Sequence, residues 1–240
     1  MLHNLELNSF NYIENPLENT IPHTAVVFSC NENDLVLVPG LLEAFDFVEF
    51  FICYYDSGTN FDYDESVRHR LLIKEAEDRG AEWVYLTQPT MRCAKNSRTI
   101  LESLFKNTDG IIYGDIYYFW DYCLNKVRID SWSGVAGPTF FKIHPNNFYR
   151  GGRLHHIATP TNLPRVNSTF KRYDLRRLGK EVCIGKANYY QKLDGTPHNG
   201  LRDFSKLQTM EINPKTIKGL GKEELQYIET IRRKYCDNPV

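Results

Sequence analysis

The sequence predicts an α/β fold with a mostly parallel central sheet and a helical C-terminal extension. Two observations carry this. Short apolar runs rich in β-branched and aromatic residues, at 24–29, 48–55 and 82–87, are each bounded by polar turn formers, as buried parallel strands are. Helix-period stretches at 35–45, 64–79 and 97–106 alternate with them, which is the rhythm of βαβ units with right-handed crossovers.

The elements follow in order. Residues 1–23 read as a lead-in with room for a small edge strand. The run TAVVFS is the first buried strand, and Asn31 to Asp34 form a turn that can cap the next helix. The second strand, Val48 to Tyr55, ends in Asp56-Ser57-Gly58-Thr59-Asn60. In the following helix Val67, Leu71, Leu72 and Ala76 fall at helical spacing, and Gly80 stops it. The third strand leads into Gln88-Pro89-Thr90, and 110–120 reads as an aromatic strand. Beyond it, 127–156 reads as short strands punctuated by Gly and Pro, 167–193 as a helix rich in Arg and Lys, and 221–235 as a C-terminal helix.

The bulk properties bound the function. At 240 residues, 42% hydrophobic and 25% charged, the chain has enough apolar material for a core and is not disordered. A net charge of -1 gives no global electrostatic case for nucleic acid or an anionic membrane. The 15 Tyr and 14 Phe read as core and surface before they read as a stacking cleft. None of the six cysteines forms a CxxC pair, which disfavours a zinc site or a thioredoxin motif. The polar start and the lack of a long apolar span predict no signal peptide and no integral membrane segment, hence a cytoplasmic protein with reduced thiols.

In open α/β sheets, ligands bind beyond the carboxyl ends of the parallel strands. The clusters Asn31-Glu32, Asp56-Ser57-Gly58 and Gln88-Pro89-Thr90 therefore converge on one cleft.

TAVVFSCNEND followed by FICYYDSGTNFD resembles the opening of family-two-like glycosyltransferases. RHRLLIKEAEDRGAEWVYLTQP is similar to their helix, Gly-x-x-Trp strand and metal-motif position. KVRIDSWSGVAGPTFFKIHPNNFYRGGRLHHIATP resembles their later part, and the likeness spans about residues 24–195. It implies a GT-A-type nucleotide-binding α/β/α sandwich over 1–200, with a nucleotide half at 24–120, an acceptor half at 121–200 and a helical extension at 201–240. It also implies sugar transfer from a nucleotide sugar, a UDP-sugar foremost, by single-displacement inversion.

The resemblance assigns roles. Asp56 accepts hydrogen bonds from the donor's base or ribose, with Asn31, Glu32 and Ser57 at the same edge. A carboxylate is acceptor-only and suits that task, although a turn-capping Asp is the plain structural alternative. The acceptor hydroxyl needs a carboxylate base, for which Asp130, Asp121 and Asp115 are candidates. Trp132 stacks on a sugar ring or belongs to the core. His155 and His156 stand near the diphosphate and its metal, or are structural.

The departure is at Gln88 and Thr90, where the family carries Asp-x-Asp. Neutral oxygens make a weak Mn²⁺ or Mg²⁺ site, so the metal stays undecided. Arg92, Lys95 or the basic segment holding Arg165, Arg172, Arg176 and Lys180 could neutralise the leaving group instead. Within the 167–193 helix, Arg172, Arg176 and Lys180 share one face at i, i+4 and i+8. The acceptor stays open among glycan, protein, small molecule and modified nucleic acid. Two other readings stand beside transfer. One is a non-catalytic nucleotide- or sugar-binding module of the same fold. The other is a nucleotidyltransferase, which would want a Gly-rich phosphate loop that FSCNEND lacks.

Overall fold

The computed structural model describes residues 5–57, 65–118, 126–128, 135–149, 159–174, 217–219 and 221–235. Strands are β1 (Ser9–Glu14), β2 (Ile21–Cys30), β3 (Val48–Tyr55), β4 (Trp83–Thr87), β5 (Met91–Cys93), β6 (Ile111–Tyr118), β7 (Lys126–Arg128), β8 (Val135–Lys142), β9 (Arg165–Asp174) and β10 (Ile217–Gly219). Helices are α1 (Val38–Ala44), α2 (Glu65–Asp78), α3 (Ser97–Asn107) and α4 (Lys222–Tyr235), and a 3-10 segment, Glu32–Leu37, precedes α1.

Eight strands form one sheet in the order β1-β3-β2-β4-β8-β6-β9-β5, while β7 and β10 pair separately. The α/β class holds, but the sheet is mixed rather than mostly parallel. The β2/β3, β2/β4 and β6/β9 pairs are parallel and the four other neighbouring pairs antiparallel. The parallel prediction extrapolated the first three βαβ units. It could not see that β8 inserts between β4 and β6 with reversed direction.

Period-2 alternation sorts each strand onto two faces. Val26, Phe28, Phe51, Trp83, Tyr85, Phe140 and Phe170 pack with Leu41 of α1 and Leu101 of α3. Ala25, Val27, Ile52, Val84, Leu86 and Phe141 pack with Leu72, Ile73 and Ala76 of α2. Both faces of β2 and β3 are therefore buried, which is why they read as unbroken apolar runs. The packed face of α2 is rotated from the sequence expectation: Leu71 is 41% exposed, and His69 and Ile73 are buried in its stead.

Local chemistry sets the boundaries. The helix predicted over 35–45 splits because Pro39 sits in the first turn of α1, where its missing N–H costs nothing. Gly80, at φ 88°, ends α2. Its N–H reaches Glu77 O at 2.8 Å and the Ala81 N–H reaches Ala76 O at 3.0 Å, the paired bonds of a Schellman cap. Pro138 lies in β8 where the pairing with β6 shifts between Ile111↔Phe141 and Tyr113↔Pro138, an irregularity that tolerates its missing donor.

The largest revision is at β9. Residues 165–174 are a strand, not the start of a helix, so Arg172 shares no helical face with Arg176. Lys171 faces β6 opposite Asp115, and Arg172 stands opposite Ile116. The remainder of the predicted 167–193 helix, with Arg176 and Lys180, lies outside the described residues. The C-terminal helix expected at 221–235 is present as α4. Its Glu224 bonds to the Tyr173 hydroxyl and stands 3.4 Å from Lys171 Nζ, so it docks on β9. Among the described residues no helix is long and apolar enough to cross a membrane.

Gly114 of β6 is required by contact. A Cβ there would stand 2.6 Å from both the Phe170 ring and the Phe170 carbonyl oxygen, and the backbone oxygen cannot swing aside. Gly114→Ala should lower stability by about 1–3 kcal/mol, the scale of overpacking. Gly221→Ala, which meets nothing within 4 Å, is the control. Equal urea midpoints for the two variants would refute the contact argument.

Candidate functional site

The topology gathers strand ends. β8 runs antiparallel to both β4 and β6, so β6 points the same way as β4, and β9 is parallel to β6. The carboxyl ends of β2, β3, β4, β6 and β9 therefore share one edge of the sheet. Asn31, Glu32, Asp56, Ser57, Gln88 and Thr90 follow three of those ends, as the sequence predicts.

Asn31 and Glu32 are exposed. Asn31 also caps the 3-10 segment, with its Oδ1 3.2 Å and its carbonyl 3.0 Å from the Asp34 N–H. Asp56 is 7% exposed. Its N–H donates to Cys30 O at 2.8 Å, tying the exits of β3 and β2 together, and Arg68 of α2 holds its Oδ2 at 3.4 Å. The Ser57 N–H donates to Asn8 Oδ1 at 3.0 Å. The carboxylate is thus desolvated and oriented before any ligand arrives.

At the motif position, Gln88 Nε2 donates to Asp174 Oδ2 at 3.0 Å. Asp174 is fully buried at the end of β9, so a carboxylate does touch this turn, supplied from another strand. Sequence reasoning missed it because the Arg and Lys spacing in KRYDLRR suggested a helix. The alternation Ser168, Phe170, Arg172, Asp174 was the available signal. Thr90 Oγ1 is buried without a hydrogen-bond partner among the described residues.

Two of the predicted substitute cations, Arg92 and Arg172, are buried within the fold. Arg92 is fully buried, and its guanidinium donates to the carbonyls of Pro89 at 2.6 Å, Met91 at 2.8 Å and Leu37 at 3.1 Å. It joins β5 to the start of α1 and is structural. Arg172 is 6% exposed, and its Nη1 donates to the Tyr85 hydroxyl at 3.1 Å. Lys95 is exposed just after β5.

Asp115 stands on the face of β6 opposite to Asp174, beside Tyr117, Lys171 and Tyr173. The Tyr117 and Tyr173 rings stack at 5.9 Å. Burial, reinforced by the charges of Asp115 and Glu224, pushes the Tyr117 phenol up from its ordinary value. Asp121, Asp130, Trp132, His155, His156 and Arg176 lie outside the described residues. Among the described residues no group of three or more His, Cys, Asp or Glu side chains converges as a metal site.

No family model matches the chain, and no curated protein matches it. The crystal structure of A197 from STIV is similar to it with a TM-score of 0.41 and 14% identity, over 64% of this chain and 85% of that one.

Proposed function

We propose that the chain is a nucleotide-sugar-dependent glycosyltransferase with a GT-A-type sandwich, its donor lying across the carboxyl ends of β2, β3 and β4. The observation that carries this is Asp56: a nearly buried carboxylate at the end of β3, fixed by Arg68, beside the exposed Asn31-Glu32 turn. A carboxylate so oriented accepts from ribose hydroxyls or base N–H groups. In a single displacement, a second carboxylate takes the proton of the acceptor hydroxyl as it attacks the anomeric carbon, and the nucleoside diphosphate leaves. Asp130, Asp121 and Asp115 are the candidate bases, of which Asp115 lies on β6 opposite Lys171.

A second reading is favoured by a specific observation. Gln88 is tied to Asp174, and Arg92 and Arg172 are core groups, so the usual means of neutralising a leaving diphosphate are missing from the described part of the edge. A nucleotide-binding module without transfer fits that arrangement. Titration calorimetry with uridine and UDP, with and without Mn²⁺, separates the readings when paired with a donor-hydrolysis assay. Asp56→Ala should weaken nucleoside binding by about 1–3 kcal/mol, the scale of a lost charge-assisted hydrogen bond. Unchanged affinity in the folded variant would remove Asp56 from the site. Binding with neither transfer nor hydrolysis would establish the module.

A further inference from the structure

We propose that the β1 edge of the sheet is an interface with a second copy of this chain, the two β1 strands pairing antiparallel about a two-fold axis at Tyr12. This interface is independent of nucleotide binding and of glycosyl transfer.

The fold treats its two sheet edges differently. An edge strand offers unpaired main-chain groups, and proteins close such edges by shortening, covering or charging them. β5, at one end of the sheet, has three residues, and Met91, Arg92 and Cys93 are all buried. β1, at the other end, has six residues, with no Pro, Lys or Arg and a single charge, Glu14. Tyr12 in its middle is 43% exposed, and Leu7 and Leu17, beyond its two ends, are 53% and 51% exposed. Three of the five large hydrophobic side chains exposed among the described residues thus gather along this one edge.

The register says what fits there. β1 pairs with β3 from Ser9↔Tyr55 to Glu14↔Phe50, and the next residue, Asn15, donates its N–H to Glu49 O at 3.3 Å. Hydrogen-bonded pairs recur at every second residue of an antiparallel ladder. The main chains of Ser9, Asn11 and Ile13 therefore face β3, and those of Phe10, Tyr12 and Glu14 turn outward. Among the described residues no main-chain group pairs with these three on the outward side. A two-fold axis at Tyr12 sets Tyr12 opposite Tyr12 of the second copy and Phe10 opposite its Glu14, so that all three outward residues are paired. The same rotation carries the Leu7 end of each copy to the Leu17 end of the other.

The charges agree with this register. Glu14 comes diagonal to Tyr12 of the second copy, a separation that long side chains span. Arg79 lies over the Tyr12 ring, 4.7 Å from its centroid. Each copy's Glu14 therefore approaches the other's Arg79, and the two-fold makes the contact twice. Because both copies use the same patch, the assembly closes at a dimer.

The test is sedimentation equilibrium of the full chain from about 1 to about 200 µM, a range that brackets weak specific pairing. The expected result is a reversible monomer–dimer equilibrium. Tyr12→Lys sets two like charges directly opposite each other and should raise the dissociation constant at least roughly tenfold. Phe148→Lys, at an exposed site away from β1, should leave it unchanged. Glu14→Arg should weaken the dimer, and adding Arg79→Glu in the same chain should restore part of the loss. A monomer across the whole range would overturn the interface, and so would an assembly larger than a dimer. A dimer with the same constant in a folded Tyr12→Lys would place the contact elsewhere. If Tyr12→Lys does not fold, the charge reversal decides: equal constants in wild type, Glu14→Arg and the double variant would equally refute pairing through β1.

Discussion

Raising the pH from about 9 to about 11 should cost the protein about 2 kcal/mol of stability through Cys93 alone, the slope approaching about 1.4 kcal/mol per pH unit above pH 9. Burial pushes the Cys93 thiol up from its ordinary 9.0 to about 12, and the protonated Sγ donates to Ala44 O at 2.7 Å. The folded thiol keeps its proton where the unfolded one has lost it. Its contribution is therefore whole below pH 9.0 and is lost as pH rises toward about 12. Cys53 acts in the same direction, raised first by its contact with Cys30, 3.3 Å away, and then by burial. Tyr227 adds to it through burial, from its higher ordinary value of 10.0. Urea midpoints under reductant at pH 8, 9.5 and 11 measure the slope. Cys93→Ala should flatten it by about one thiol's share. An unchanged slope in that variant would show that Cys93 does not carry the effect.

The same cysteines show what the sequence can and cannot disclose. Their spacing holds no CxxC pair, and nothing in it said that Cys30 and Cys53 meet. That contact follows from β2 and β3 being parallel neighbours in a particular register. Local signals located the elements well. Val48–Tyr55 is the second strand to the residue, because an apolar run between polar turns leaves little freedom. Ser97–Asn107 differs from the predicted helix by one residue.

Non-local order was not legible. β5 has three residues, too few for a period, and exists because β9 pairs with it. β9 itself carries helix-compatible charge spacing, and its strand state is settled by pairing with β6 and β5. The site divides along the same line. The placement of Asn31, Glu32, Asp56, Ser57, Gln88 and Thr90 at one edge of the sheet was legible because they follow strands readable from local pattern. Asp174 was not, because its proximity to Gln88 spans 86 positions. Arg92 and Arg172 looked like surface cations by type, and only packing shows them inside.

Phe140→Ala should be the most damaging single truncation here, costing about 3–5 kcal/mol from a total that for such domains is about 5–15 kcal/mol. The ring is fully buried. It lies 5.2 Å from Tyr85 of β4, 5.2 Å from Phe105 of α3 and 6.4 Å from Phe170 of β9. Tyr85 continues to Phe45 at 5.5 Å, and Phe105 to Trp83 at 4.7 Å. Phe140 is thus the junction at which the parallel β2–β4 half meets the β6–β8–β9 half. Alanine leaves a cavity ringed by groups anchored on rigid strands, which cannot collapse to fill it. Phe140→Leu should recover part of the loss by restoring volume without the ring geometry. Phe148→Ala, at a residue 66% exposed, should stay within about 0.5 kcal/mol of wild type. Urea unfolding of the three variants decides it: a Phe140→Ala cost below about 1 kcal/mol would mean that the two halves are held together elsewhere.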